Sequence, residues 1–144
     1  MKRGTDYIGV TVSFLCHDGR GKILLHKRTQ NSRDEQGKWD NGGGALEFGE
    51  GFEEAVAREI KEEYCADVVE SKFLCAYNNL RQQDGAPTHW VNIVYFVQID
   101  PAQVRIGEPT KMEELGWFSP NALPEPQHPT LARWIVEARK AKMI

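Results

Sequence analysis

The segment from Arg58 to Glu63 carries charged side chains whose spacing can hold a divalent metal. With about 100° per residue from Phe52, Glu62, Glu59 and Glu63 fall at roughly 280°, 340° and 20° around a helix, on one narrow arc. Carboxylates at these spacings repel one another, and Arg58 supplies only one positive charge. A metal ion would balance the remaining negative charge. Ligands that are all oxygen suit Mg²⁺ or Mn²⁺ better than zinc.

A helix from Phe52 to Tyr64 is the element that must position these side chains. The segment contains no proline or glycine, and acidic residues lie in its first turn, where the helix dipole favours them. Apolar residues fall on a stripe beside the acidic arc, so the helix can bury one side while its carboxylates line the edge. The stripe consists of Phe52, Val56, Ile60 and Tyr64.

A glycine run, Gly42 to Gly44, precedes this helix, and two more glycines flank Glu50. Such a backbone can turn tightly and approach a ligand closely. The alternative is an ordinary solvated helix rich in Glu and Lys. That alternative explains neither the glycine run nor the grouping of the glutamates beside an apolar stripe, so we favour a metal site.

The same residues resemble a known family motif. Gly44, five residues, Glu50, seven residues, Arg58-Glu59-Ile60, one residue and Glu62-Glu63 are similar to the Nudix box. The resemblance ends at Cys65, which stands where the box has a glycine, and at Ala66, which stands where it has an aliphatic residue. Gly42 also replaces the proline that usually precedes the paired glycines. The resemblance implies an α/β fold, the Nudix α/β/α sandwich with a mixed β-sheet between helices.

The resemblance also implies roles for individual residues, with Mg²⁺ or Mn²⁺ as cofactor. Glu59 is the general base or a ligand linked to it, Arg58 positions Glu59, and Glu50 supports Arg58. Glu62 and Glu63 are the principal metal ligands, and the carbonyl of Gly43 is a further candidate ligand. Gly44 lies at the substrate in this scheme. One more carboxylate is expected from the loop before a Trp-Phe strand, with Glu113 and Glu114 as candidates and Glu108 as a third; the sequence does not choose among them.

Three residues outside the box have open assignments. Arg28 ends a predicted strand, and the resemblance places it near the phosphates, although an ordinary exposed strand end is the alternative. Trp39 either anchors the loop by packing or stacks on a base, and packing is favoured. His89 could act as an auxiliary acid or base, but a surface histidine is the better interpretation.

Strand and helix patterns fill the rest of the chain. The segment 89–100 has the strongest strand signal, and because both of its faces are largely apolar we expect a central strand. A polar loop is predicted at 29–38 and another at 78–88. The remaining predicted elements are strands at 8–16, 22–28, 68–77 and within 111–118, a capped turn that begins at Ser119, and an amphipathic helix at 129–142.

Length and composition indicate one domain, residues 1–144, with 40% hydrophobic residues and a formal net charge of -3. That charge suggests no binding to nucleic-acid polymers, and no apolar run is long enough to span a membrane. Three cysteines without zinc-type spacing, Cys16, Cys65 and Cys75, are typical of reduced thiols, so we expect a cytoplasmic protein. The sequence does not decide whether the protein forms a homodimer.

The resemblance implies hydrolysis of a nucleoside diphosphate linked to another group. The box is most similar to members that act on nucleoside triphosphates, giving monophosphate and pyrophosphate. Hydrolysis of ADP-ribose or another nucleotide sugar is the second interpretation. Many dimeric members of that branch carry an additional N-terminal domain, and because we see none here, this argues against it. A non-catalytic nucleotide sensor and an acidic helix that docks a basic partner are hypotheses of other classes, and the complete set Arg58, Glu59, Glu62 and Glu63 argues against the sensor.

Overall fold

A computed structural model describes all residues from Met1 to Ile144 and shows a mixed sheet with a helix on each face. Neither helix is both long and apolar enough to cross a membrane. The α/β fold predicted from the sequence is confirmed. The elements in chain order are β1 (Gly9–His17), β2 (Ile23–Arg28), β3 (Trp39–Asp40), β4 (Gly42–Ala45), α1 (Phe52–Tyr64), β5 (Val68–Gln83), β6 (Ala86–Ile99), β7 (Met112–Phe118) and α2 (Leu131–Lys140).

Strand β1 organises the sheet because it has three neighbours. It pairs in parallel with β6 along its whole length, antiparallel with β4 over residues 11–14, and antiparallel with β2 only at Cys16 and His17. The strand order is β3-β2-β1-β6-β5, with β7 attached to β2. Strands β2 and β4 pair with different parts of β1, and the glycine strand β4 also contacts α1.

Side chains that alternate along β1 and β6 fill two separate cores. One face packs against α1, where Val12, Phe14, Tyr95 and Val97 belong to a buried cluster with Ile60. The opposite face packs against α2 and contains the set Leu15, Ile23, Leu25, Trp39, Phe96, Leu131 and Ile135. Since β6 is buried on both faces and has a strand on each side, the prediction of a central strand is confirmed.

The prediction of a loop at 78–88 is wrong. Strands β5 and β6 continue through most of this segment and form a long hairpin whose turn is centred on Asp84 and Gly85. Both residues have positive φ, 53° and 78°, as a tight hairpin turn of this kind requires. The Asp-Gly pair is the local signal for such a turn, and the interpretation of the polar residues around it as a loop overlooked that signal.

The box helix α1 spans Phe52–Tyr64, the bounds predicted from the sequence. It ends at Cys65, which adopts the left-handed conformation with φ 60° and ψ 20° and donates its N–H to the Lys61 carbonyl. A glycine usually occupies such a position, because a Cβ atom is disfavoured there. The cysteine therefore keeps the helix end in its usual geometry, while Ala66 behind it is fully buried.

Candidate active site

Three buried or half-buried carboxylates meet at the exposed edge of α1. Glu59 and Glu63 come from the helix and Glu108 from the loop after β6, and one oxygen from each lies within 4.8 Å of the others. Oε2 of Glu63 and Oε1 of Glu108 are buried without any hydrogen-bond partner. Buried carboxylate oxygens without partners are costly, and a hard divalent cation would satisfy both. These residues therefore fit Mg²⁺ or Mn²⁺.

The loop after β6 brings Glu108 to this group because it packs against the end of α1. The N–H of Arg105 donates to the carbonyl of Tyr64 at 3.0 Å, and the N–H of Gly107 donates to that of Glu63 at 2.8 Å. A Cβ atom on Gly107 would lie 2.0 Å from the backbone oxygen of Glu62, so a larger residue does not fit. Glu108 follows directly and is thereby held at the helix.

The glycines of β4 make room for the helix carboxylates. A Cβ atom on Gly44 would lie 2.2 Å from Oε1 of Glu59, and one on Gly42 would lie 2.3 Å from Oε2 of Glu63. The Gly42 position is also closed by the ring of Phe14, 2.2 Å from the same hypothetical atom. The glycine run predicted to lie close to a ligand thus first serves a close approach between the strand and the glutamates.

Arg58 connects the helix to the loop before it. Its Nε donates to Oε2 of Glu50 at 2.6 Å and its Nη2 to Oε1 at 2.9 Å, which is a two-point contact. Its Nη1 donates to Oε1 of Glu59 at 2.8 Å. The hydrogen bonds from Arg58 lower the pKa of Glu50 to about 2. The guanidinium thus fixes the orientation of the Glu59 carboxylate.

Burial raises the pKa of both helix carboxyls in the group. For Glu63 the pKa rises well above the ordinary value, and the charges of Glu59 and Glu108 raise it further. For Glu59 the hydrogen bond from Arg58 opposes the effect of burial, yet the pKa remains raised. Burial and the neighbouring charges thus disfavour the ionised carboxylates, and a metal ion bound here would offset both effects.

Other predicted metal ligands lie outside this group. Glu62 has a half-exposed side chain, and its Oε1 lies 3.4 Å from Nη1 of Arg58. Of the candidates for the additional carboxylate, the structure brings Glu108 to the group but not Glu113 or Glu114. Both are exposed on β7, and Glu113 faces Lys27 across the strand pair at 3.9 Å.

A polar cavity of about 970 Å³ opens beside the carboxylates. Glu63 and the glycines of β4 line one part of it. Five cations, Lys2, Arg28, Arg33, Arg81 and Lys111, line other parts. The position of these cations is suited to a ligand with several phosphate charges.

The three residues with open assignments are placed as follows. Arg28 lines the cavity, and its donors contact the Asp34 backbone and the carboxylates of Asp34 and Asp40. Trp39 is only 8% exposed and packs edge to face on Phe118, which supports the packing role favoured from the sequence over stacking on a base. His89 is hydrogen-bonded to Asn78 outside the cavity, in line with the favoured interpretation as a surface histidine.

Several cavity residues had no signal in the sequence that we recognised. Asn92 is buried on β6, where its Oδ1 accepts from the hydroxyls of Thr11 and Ser13 and its Nδ2 donates to Tyr77. A single polar residue within an apolar strand could have indicated such a network. Lys111 and Asp40 also line the cavity, but isolated charges next to turns carry no comparable signal.

Comparison with known proteins gives matches over most of the chain. The model of the NUDIX domain family matches residues 8–138. The crystal structure of a MutT NUDIX hydrolase from Burkholderia pseudomallei is similar, with 30% identity, a TM-score of 0.81, and coverage of 92% of this chain and 98% of that one. A MutT protein from Methanosarcina mazei has 25% identity and a TM-score of 0.77, covering 94% and 96% of the two chains.

A curated relative matches a shorter segment. An uncharacterized Nudix hydrolase from Yersinia pestis is 44% identical over 50 residues, which cover 34% of this chain and 28% of the relative. The matched segment thus spans little more than a quarter of that relative.

Proposed function

The chain belongs to the NUDIX domain family, and from this premise we propose that it is a divalent-metal-dependent hydrolase of nucleoside diphosphates linked to another group. We propose a nucleoside triphosphate as the substrate, with monophosphate and pyrophosphate as products. The observation that carries the proposal is the group of Glu59, Glu63 and Glu108. Oε2 of Glu63 and Oε1 of Glu108 are buried without a partner, and Glu63 lines a cavity that cations also line.

In this proposal a water molecule attacks one phosphorus of the diphosphate bond. The linkage carries several negative charges, so the site must neutralise charge and hold the phosphates in line with the water. A bound metal ion would supply charge stabilisation. Glu59, Glu63 and Glu108 would hold it, and Glu62 and the Gly43 carbonyl complete the set that we propose. The pyrophosphate or sugar phosphate then leaves.

Glu59 is our candidate for accepting the proton from the attacking water. Its carboxylate is partly buried and oriented by Arg58, while Glu50 binds Arg58 at two points. These contacts hold the Glu59 carboxylate in one orientation. Arg28, Arg81 and Lys111 are proposed to contact the phosphates, since their side chains line the same cavity. We further propose that the protein acts as one domain in the cytoplasm, without a nucleic-acid polymer as partner.

A nucleotide sugar such as ADP-ribose is the second candidate, and the polarity of the cavity supports it. The cavity is also lined by amides and hydroxyls, which suit the hydroxyl groups of a sugar. These residues include Thr11, Ser13, Asn31, Asn79, Gln82, Gln83 and Asn92. Such a lining is as compatible with a second sugar as with a ribose and base.

The test is a product screen over triphosphates, nucleotide sugars and dinucleoside polyphosphates with Mg²⁺, with products separated by chromatography. Release of monophosphate and pyrophosphate from a triphosphate supports the first candidate, and monophosphate plus sugar phosphate supports the second. Glu63→Gln should lose the activity, while Glu113→Gln, an exposed glutamate on β7, should keep it. If no substrate is cleaved although nucleotides bind, the protein is a sensor rather than a hydrolase.

A further inference from the structure

Lys111 lies next to the carboxylate group without being part of it. Its Nζ is 3.2 Å from Oε2 of Glu108, the oxygen opposite to the buried and unpaired Oε1. The two residues are the ends of one turn, in which the N–H of Lys111 donates to the carbonyl of Glu108 at 3.0 Å. A cation is therefore built into the turn that supplies the third carboxylate.

The backbone of Lys111 is fixed while its side chain is free to move. Its carbonyl accepts hydrogen bonds from the N–H of Thr29 and the hydroxyl of Ser32, each at 3.2 Å. The side chain is 64% exposed and lies at the cavity wall. A lysine ammonium on a flexible stem of four carbons can exchange one anionic partner for another without any change in the backbone.

Charge at the site gives a reason for such an exchange. Three carboxylates lie together, and Arg58 contacts only Glu59 among them. Without a metal ion, Lys111 is the cation that offsets Glu108. When a divalent cation occupies the group, Glu108 has a stronger partner, and the lysine becomes available to the anionic ligand in the cavity.

We propose that Lys111 is an exchangeable cation: it pairs with Glu108 while the metal is absent and binds a phosphate group of the substrate when the metal is present. This inference rests on the proposed function for the identity of its second partner. It assigns to Lys111 two effects of opposite sign, because the lysine competes with metal at the empty site and assists phosphate binding at the filled one. If the ion pair of Lys111 were merely structural, its removal would change metal binding and phosphate binding in the same direction.

The experiment measures binding only, with Mn²⁺ alone and then with inorganic pyrophosphate at saturating Mn²⁺. Removal of the charge in Lys111→Met should tighten Mn²⁺ binding by about three- to fivefold, the upper range for a partly exposed ion pair. The same variant should weaken pyrophosphate binding by about tenfold, as expected for a lost charged hydrogen bond. Lys111→Arg keeps the charge and should remain within about twofold of wild type for Mn²⁺.

Lys27→Met is the matched control, because Lys27 pairs with Glu113 on the surface and does not line the cavity. It should change neither affinity. Unchanged or weaker Mn²⁺ binding in Lys111→Met would overturn the proposal, and so would unchanged pyrophosphate binding. Neither measurement needs turnover. A protein that binds both probes as expected but cleaves no nucleotide would therefore refute the proposed function and leave the role of Lys111 supported.

Discussion

The Glu59 carboxylate fills the space that a side chain at Gly44 would occupy. A Cβ atom at Gly44 would lie 2.2 Å from Oε1 of Glu59 and 2.3 Å from its carboxyl carbon. Only side-chain atoms are in the way, so a larger residue could be admitted if the carboxylate moved. Because Arg58 and the metal group both depend on the present position of that carboxylate, the first glycine of the box controls the geometry of the site.

Gly44→Ala should therefore fold but lose most of its activity. The new methyl group displaces Glu59 from the hydrogen bond with Arg58, and we expect a decrease in kcat of at least about 100-fold, comparable to the loss of one positioned catalytic group. The melting temperature should change little, since the displaced group is a side-chain end. Steady-state kinetics and thermal unfolding measure the two effects.

Gly51→Ala is the control for this prediction. Gly51 has φ -76°, which any residue adopts, and the nearest atom to its hypothetical Cβ is the end of the Glu54 side chain at 3.2 Å. Its activity should stay within about threefold of wild type. Equal losses in the two variants would mean that the loop, and not the space around Glu59, limits the activity.

The helix and the central strand could be predicted because their signals are local. The apolar stripe from Phe52 to Tyr64 and the two apolar faces of β6 are properties of short segments, and the structure has them where they were expected. The position of Glu108 beside the helix carboxylates, which Glu113 and Glu114 do not reach, could not be predicted from a local signal. It depends on how Gly107 packs against the end of α1, a contact between segments about 45 residues apart that no spacing within one segment reveals.

Glu62 and Glu63 can be distinguished by their effect on metal binding. Glu63 is 5% exposed within the carboxylate group, whereas Glu62 has a half-exposed side chain outside it. Mn²⁺ should raise the melting temperature of wild type, because a ligand that binds only the folded state stabilises it. Glu63→Gln should abolish most of this increase. Glu62→Gln should retain at least half of it.

Thermal unfolding over a range of Mn²⁺ concentrations, with a chelator as reference, gives the measurement. Glu113→Gln serves as the control and should behave as wild type, since its side chain is half exposed at the surface. The assignment fails if Glu62→Gln loses the metal response while Glu63→Gln keeps it.

His26 should make the folded protein less stable in mild acid. Burial lowers the pKa of its imidazole to about 4, and the ring Nδ1 lies 2.7 Å from the hydroxyl of Tyr64. In the unfolded chain a histidine takes up a proton near pH 6.5. Between pH 6.5 and 4 the unfolded state therefore binds more protons, so this contribution is complete above pH 6.5 and decreases as the pH falls, by up to about 3 kcal/mol.

Urea unfolding at pH 7 and pH 4.5 measures this decrease, with His26→Asn and His89→Asn as the pair of variants. Only the difference between the two pH values is compared, because a buried substitution also changes stability at neutral pH. The difference should be smaller in His26→Asn and unchanged in His89→Asn, because His89 is not buried. Identical differences in wild type and His26→Asn would show that other groups cause the acid sensitivity.

Cys65 provides the last prediction, at the point where the chain departs from the family motif. Its left-handed backbone, φ 60°, places a Cβ atom where that conformation disfavours one by about 1 to 2 kcal/mol. Cys65→Gly should remove that strain and raise the free energy of unfolding by about 1 kcal/mol, since part of the gain is lost to the flexibility of glycine in the unfolded chain. Cys65→Ala keeps the Cβ atom and should give no gain. Urea unfolding under reducing conditions separates the two variants; equal stabilisation of both would assign the effect to the thiol instead of the backbone.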